Sequence, residues 1–128
     1  METLIHKHML VKATLGLTPN KDFRLDNDLK ALVKIIDMKI LSGPHTVWCD
    51  TPGNVGYSSA IIIETSSITW HSWNHTNELH LDIFSCKDFS IESVLNWLSR
   101  FNPTNIQYKF LDRDNNFKVI NDYQTCTV

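Results

Sequence analysis

Hydrophobic and polar residues alternate over positions 5–15 and the alternation stops at Gly16, the period-two pattern of a strand with one buried face. Asp26 then precedes Leu29, Leu32, Val33 and Ile36, an i, i+3, i+4, i+7 stripe with an acidic start that predicts an amphipathic helix. Ile40 to Cys49 is extended in character, and Asp50-Thr51-Pro52-Gly53 is a turn sequence. Three β-rich runs follow at 59–65, 67–73 and 79–85, the last two separated by a polar loop containing Asn74 and Asn77. Ser90 is placed to cap a second helix carrying Ile91, Val94, Leu95 and Leu98, which must stop at Asn102-Pro103 because proline disfavours helical geometry in the residue before it. Ile106, Tyr108 and Phe110 alternate as a last strand.

The predicted order is β-α-β-β-β-β-α-β. Such an order is most simply satisfied by an α+β two-layer sandwich, with both helices on one face of a largely antiparallel sheet. Residues 1–113 form the domain in this reading. Residues 114–128 are polar and weakly patterned, a C-terminal tail or docking segment.

Composition narrows the function classes. A chain of 128 residues with 42% hydrophobic content can build one core but not two domains of ordinary size. A formal net charge of −2 and a pI near 6.3 provide no basic field, so nucleic acid is not an expected partner. No apolar run is long enough for a membrane span, and charged and His residues occupy the start where a signal peptide would be apolar. A soluble, cytoplasmic protein is expected. Three cysteines, Cys49, Cys86 and Cys126, are odd in number and widely spaced, which fits a reducing compartment better than a disulfide framework.

The candidate chemistry lies between Ile61 and Cys86. Ser66 falls between two β runs, His71 follows five residues later, and Cys86 closes the run Leu79-His80-Leu81-Asp82-Ile83-Phe84-Ser85-Cys86. Each residue has an ordinary structural role: a hairpin serine, a strand histidine, a buried strand-end thiol. Their joint spacing is what is unusual. It resembles the core of the short, prokaryotic-type S-adenosylmethionine decarboxylase proenzymes, in which a strand ends at a self-cleaving Ser, a Thr-x-His-x-Trp segment follows, and an Asp-x-Phe-x-Cys segment comes next. The opening Lys7-His8-Met9-Leu10-Val11 resembles the family's basic-His-Leu-Leu-Val start, and the likeness runs from about His6 to Arg113. The wording Glu64-Thr65-Ser66 and the closing Asn102-Pro103-Thr104 with Tyr108 to Arg113 resemble virus-encoded members.

The resemblance implies that the chain makes its own cofactor. Ser66 would attack the Thr65 carbonyl, cleave the chain into 1–65 and 66–128, and remain as a pyruvoyl group. That ketone is the electron sink a decarboxylase needs and no ordinary side chain supplies. His71 would move protons during cleavage, Cys86 would protonate the product, and Ser58 would assist processing. Trp73 and Ile68 are the implied substrate-binding positions. The implied assembly is a homodimer with its sites near the interface, and the implied pathway role is supply of the aminopropyl donor for spermidine synthesis.

The chain also departs from the family pattern. Glu and His usually flank the cleaved Ser, whereas Thr65 and Ser67 do so here. The family's Trp-Pro-Glu, whose acid is expected to hold ribose hydroxyls, is replaced by Trp73-Asn74-His75. Two alternatives therefore stay open: a pyruvoyl-dependent decarboxylase of an amino acid such as ornithine or arginine, and an unprocessed, non-catalytic homologue acting as a binding or partner subunit. A Cys/His hydrolase using Cys86, His71 and Asp82 is the other enzyme class, and it leaves the Ser66 spacing without a purpose. No metal site is expected, since strand spacing separates His71 and His75 by roughly 13 Å.

Overall fold

The computed structural model describes residues 4–124. Its elements are β1 (Lys7–Leu15), α1 (Leu25–Ile35), β2 (Ile40–Cys49), β3 (Gly56–Ile63), β4 (Ser66–Trp73), β5 (Glu78–Ser85), α2 (Ile91–Leu98), β6 (Pro103–Asp112) and β7 (Lys118–Gln124). The seven strands form one sheet in the order β2-β3-β4-β5-β1-β6-β7, and every pairing is antiparallel.

The α+β layering follows from strand alternation. Met9, Val11, Ala13 and Leu15 of β1 are buried, as are Ile68 and Trp70 of β4 and Leu79, Leu81 and Ile83 of β5. Leu25, Leu29, Leu32 and Val33 of α1 and Val94, Trp97 and Leu98 of α2 close over that face in one continuous core. Trp70 anchors it, with Trp97 edge-on at 6.1 Å and Phe101 at 5.1 Å between ring centroids. The Trp70 indole N–H donates to Ser72 Oγ at 2.9 Å, so the burial leaves no donor unpaired. Among the described residues no helix covers the opposite face, which presents Leu10, Lys12, Thr69, His71, His80 and Asp82.

Local details follow sequence chemistry. The Ser90 hydroxyl accepts from the Ser93 amide at 3.1 Å, the N-cap predicted for α2. Asp26 is not the cap of α1, whose N-cap residue is Arg24 without a side-chain bond. Instead Asp26 sits in the first turn and accepts from the Thr46 hydroxyl, tying the helix to β2. A predicted tail, residues 114–128, proves to include β7, which pairs along β6 from Gln107↔Gln124 to Asp112↔Lys118. All seven of its residues are exposed, so burial imposed no hydrophobic alternation from which a strand could be predicted. Cys126 lies outside the described residues.

Candidate active site

The β3–β4 hairpin sets the position of Ser66. Ile63 pairs with Ser66, which leaves Glu64 and Thr65 as a two-residue turn. Thr65 has φ +45°, in the left-handed region. A β-branched residue there is strained, by about 1–3 kcal/mol, and persists only where its surroundings hold it. The Glu64 amide donates to the Lys39 carbonyl at 3.2 Å, so the turn is held from the α1–β2 connection.

Ser66 and Cys86 meet at this turn. Ser66 is nearly buried, and its Oγ accepts a hydrogen bond from the Cys86 amide at 2.9 Å. The Cys86 thiol lies 3.4 Å from the Glu64 carbonyl, to which it donates. Hydrogen bonding from the Ser66 hydroxyl and then from the Thr65 hydroxyl lowers the thiol pKa below that of a free cysteine, against a smaller opposing effect of burial, and the Lys87 ammonium adds to the lowering. A cleft of about 310 Å³ borders the turn, lined by Asp37, Met38, Lys39, Glu64, Cys86 and Lys87.

Ser58 and His71 form a second pair. They are cross-strand partners on β3 and β4, and Ser58 Oγ lies 2.7 Å from His71 Nδ1. His71 is exposed on the helix-free face, in a groove of about 690 Å³ that also takes in Lys12, Thr69, His80 and Asp82. Trp73 is on the same face, its ring 6.3 Å from His71 and 5.5 Å from His80, and its indole N–H donates to Asn54 at 3.1 Å. Glu78 Oε2 lies 3.1 Å from His80 Nε2.

The two pairs are apart within one chain. Ser66 and His71 lie five residues apart on one strand, a separation of about 16 Å, and point to opposite faces. The sequence grouped them as one constellation, and the fold divides them into two. Ile68, expected to contact substrate, is instead a core residue at 1% exposure, because it shares the helix-covered parity of Ser66 and Trp70. The Cys86, His71 and Asp82 hydrolase arrangement is also unassembled in the chain, since Asp82 is bound to His8 Nε2 and Cys86 faces the turn. The links made by Asp37, Lys39 and Lys87 had no sequence signal, because Lys87 and Asp37 are separated by fifty residues.

These features define a class: a two-layer α+β domain with a serine at a strained hairpin, a cysteine whose thiol is bonded to that hairpin's Glu64 carbonyl and whose amide is bonded to the serine, and a serine–histidine pair on the open sheet face. A profile of the S-adenosylmethionine decarboxylase family matches residues 20–114, and the chain belongs to that family. In fold it is similar to the crystal structure of the adenosylmethionine decarboxylase from Aquifex aeolicus VF5, with a TM-score of 0.70 and 15% identity, over 98% of this chain and 100% of that one. No curated protein matches it in sequence.

Proposed function

We propose that the chain is a self-processing, pyruvoyl-dependent S-adenosylmethionine decarboxylase cut between Thr65 and Ser66. The observation that carries this reading is the Thr65–Ser66 peptide itself, held in a left-handed turn beside the Cys86 thiol. Ser66 Oγ adds to the Thr65 carbonyl carbon, the peptide C–N bond breaks, and the freed Ser66 nitrogen takes the hydroxyl proton, leaving an ester. Relief of the Thr65 conformation favours that step. Removal of the Ser66 Cα proton then breaks the Cβ–Oγ bond and frees the Thr65 carboxylate. The remaining dehydroalanine takes up one water and releases ammonia, which leaves a ketone at the head of residues 66–128.

A nucleophilic hydroxyl at a strained turn with an adjacent proton donor is the residue set this cofactor requires. Once formed, the pyruvoyl ketone supplies the electron sink for loss of the substrate carboxylate. Cys86 donates its thiol proton to the substrate carbon after carbon dioxide leaves. His71, oriented by Ser58, moves protons in processing. Because His71 is about 16 Å from Ser66 of its own chain, the functional unit in this reading is a homodimer, each site drawing Ser66 and Cys86 from one copy and Ser58, His71 and Trp73 from the other. Product release would feed aminopropyl transfer to make spermidine.

The test is intact mass of the purified protein under denaturing conditions, with Ser66→Ala alongside. Two fragments, 1–65 and a pyruvoyl-blocked 66–128, are expected from the wild type and one full chain from the variant. A full-length wild-type chain after long incubation refutes self-processing and favours a non-catalytic homologue. Release of carbon dioxide from ornithine or arginine, and not from S-adenosylmethionine, refutes the substrate.

A further inference from the structure

The scissile turn is anchored by a chain of contacts that begins at the far end of α1. Ile36 caps that helix and Asp37 follows it in the left-handed conformation, φ +58°. The Asp37 amide donates to the Lys34 carbonyl at 3.0 Å and the Met38 amide to the Val33 carbonyl at 3.1 Å, so the helix end is closed by two backbone bonds. The Lys87 ammonium reaches this terminus, donating to the Asp37 carbonyl oxygen and lying 3.2 Å from its carboxylate. A cation at a helix C-terminus meets the negative end of the helix dipole.

Lys87 follows Cys86 directly in the chain, and the contacts close into a ring around the turn. Lys87 holds Asp37; two residues on, the Lys39 carbonyl holds the Glu64 amide; the Glu64 carbonyl holds the Cys86 thiol; and the Cys86 amide holds Ser66 Oγ. The peptide between Thr65 and Ser66 lies between the last two of these contacts, the one on Glu64 and the one on Ser66. We propose that the Lys87–Asp37 tether is a positioning device for self-cleavage, fixing the Glu64–Thr65 turn so that Thr65 stays left-handed and Ser66 Oγ stays within reach of its carbonyl. The inference rests on the processing reading above. The important contact is the charged bond to the Asp37 carbonyl: the exposed ion pair with the carboxylate contributes little. A hydrophobic side chain at position 87 would leave the turn free to relax, as would any neutral one too short to reach Asp37.

The experiment follows cleavage of freshly refolded full-length chain by intact mass over time, for wild type, Lys87→Met, Lys87→Arg and Asp37→Asn. It is joined by amide hydrogen exchange at Glu64 in the uncleavable Ser66→Ala background. Lys87→Met is expected to slow cleavage about tenfold, the effect of losing one charge-assisted hydrogen bond, and to speed exchange at Glu64 while Leu81 in the sheet centre is unaffected. Lys87→Arg keeps donors in reach and restores most of the rate. Asp37→Asn, which keeps the carbonyl and tolerates the left-handed conformation, changes it less than threefold. If Lys87→Met does not refold, Lys87→Gln takes its place.

A wild-type rate in the neutral variant overturns the tether while leaving processing intact. Slowed cleavage with unchanged Glu64 exchange also overturns it, since Lys87 would then act by charge alone. A wild type that never cleaves removes the processing reading and the tether together.

Discussion

Replacing Thr65 by Gly isolates the strain at the proposed cleavage point. Thr65 is β-branched, exposed, and sits at φ +45°. The left-handed conformation costs an L-residue about 1–2 kcal/mol, and glycine adopts it freely. Against this, glycine adds roughly 0.5–1 kcal/mol of conformational freedom to the unfolded chain. The net expectation is a gain of about 0.5–1 kcal/mol in the folded precursor, or roughly 2–4 °C in Tm for a domain of this size. Thr65→Val is the matched control, because it removes the same hydroxyl and its bond toward Cys86 while keeping the branched Cβ. Both are compared by urea unfolding in the Ser66→Ala background, where no cleavage intervenes. In chains that retain Ser66, relief of about 1 kcal/mol of ground-state strain slows cleavage roughly fivefold in the Gly variant relative to Val. The reasoning fails if the Gly precursor is no more stable than Val, or if it cleaves at least as fast.

Three further outcomes follow from the same geometry. Trp70→Ala removes the aromatic around which Trp97 and Phe101 pack and should cost about 3–5 kcal/mol in urea unfolding, a large part of a small domain's stability. Alkylation of Cys86, followed by peptide mapping of the uncleaved precursor, should show its pH midpoint below that of an unperturbed thiol, since the hydroxyls of Ser66 and Thr65 favour the thiolate. Ser66→Ala should move that midpoint upward, and an unchanged midpoint would remove the hydroxyl as its cause. Mixing Ser66→Ala chains with His71→Ala chains, each inactive alone, should restore cleavage and decarboxylation to a fraction of the wild-type level, because a mixed dimer carries one complete site. No recovery after co-refolding would rule out the shared site.

Most of the architecture is legible along the chain because burial writes itself into sequence. A strand with one face against helices must alternate, as Met9, Val11, Ala13 and Leu15 do, and a helix lying on that sheet must carry a stripe, as Leu25, Leu29, Leu32 and Val33 do. Ser90 is legible as a cap for a similarly local reason, its hydroxyl reaching an amide three residues on. β7 is not, since no residue of it is buried and only its backbone pairing with β6 makes it a strand. Spacing brought out Ser66, His71 and Cys86 as a set. What the tertiary structure alone decided is which of them meet. Cys86 comes to Ser66 from the end of the neighbouring strand β5, Ser58 comes to His71 across a hairpin, Ile68 goes into the core, and Lys87 reaches back to the end of α1. Contacts between residues distant in the chain depend on strand register and on where each helix ends. Those are settled by the packing of the whole domain and not by any local stretch of sequence.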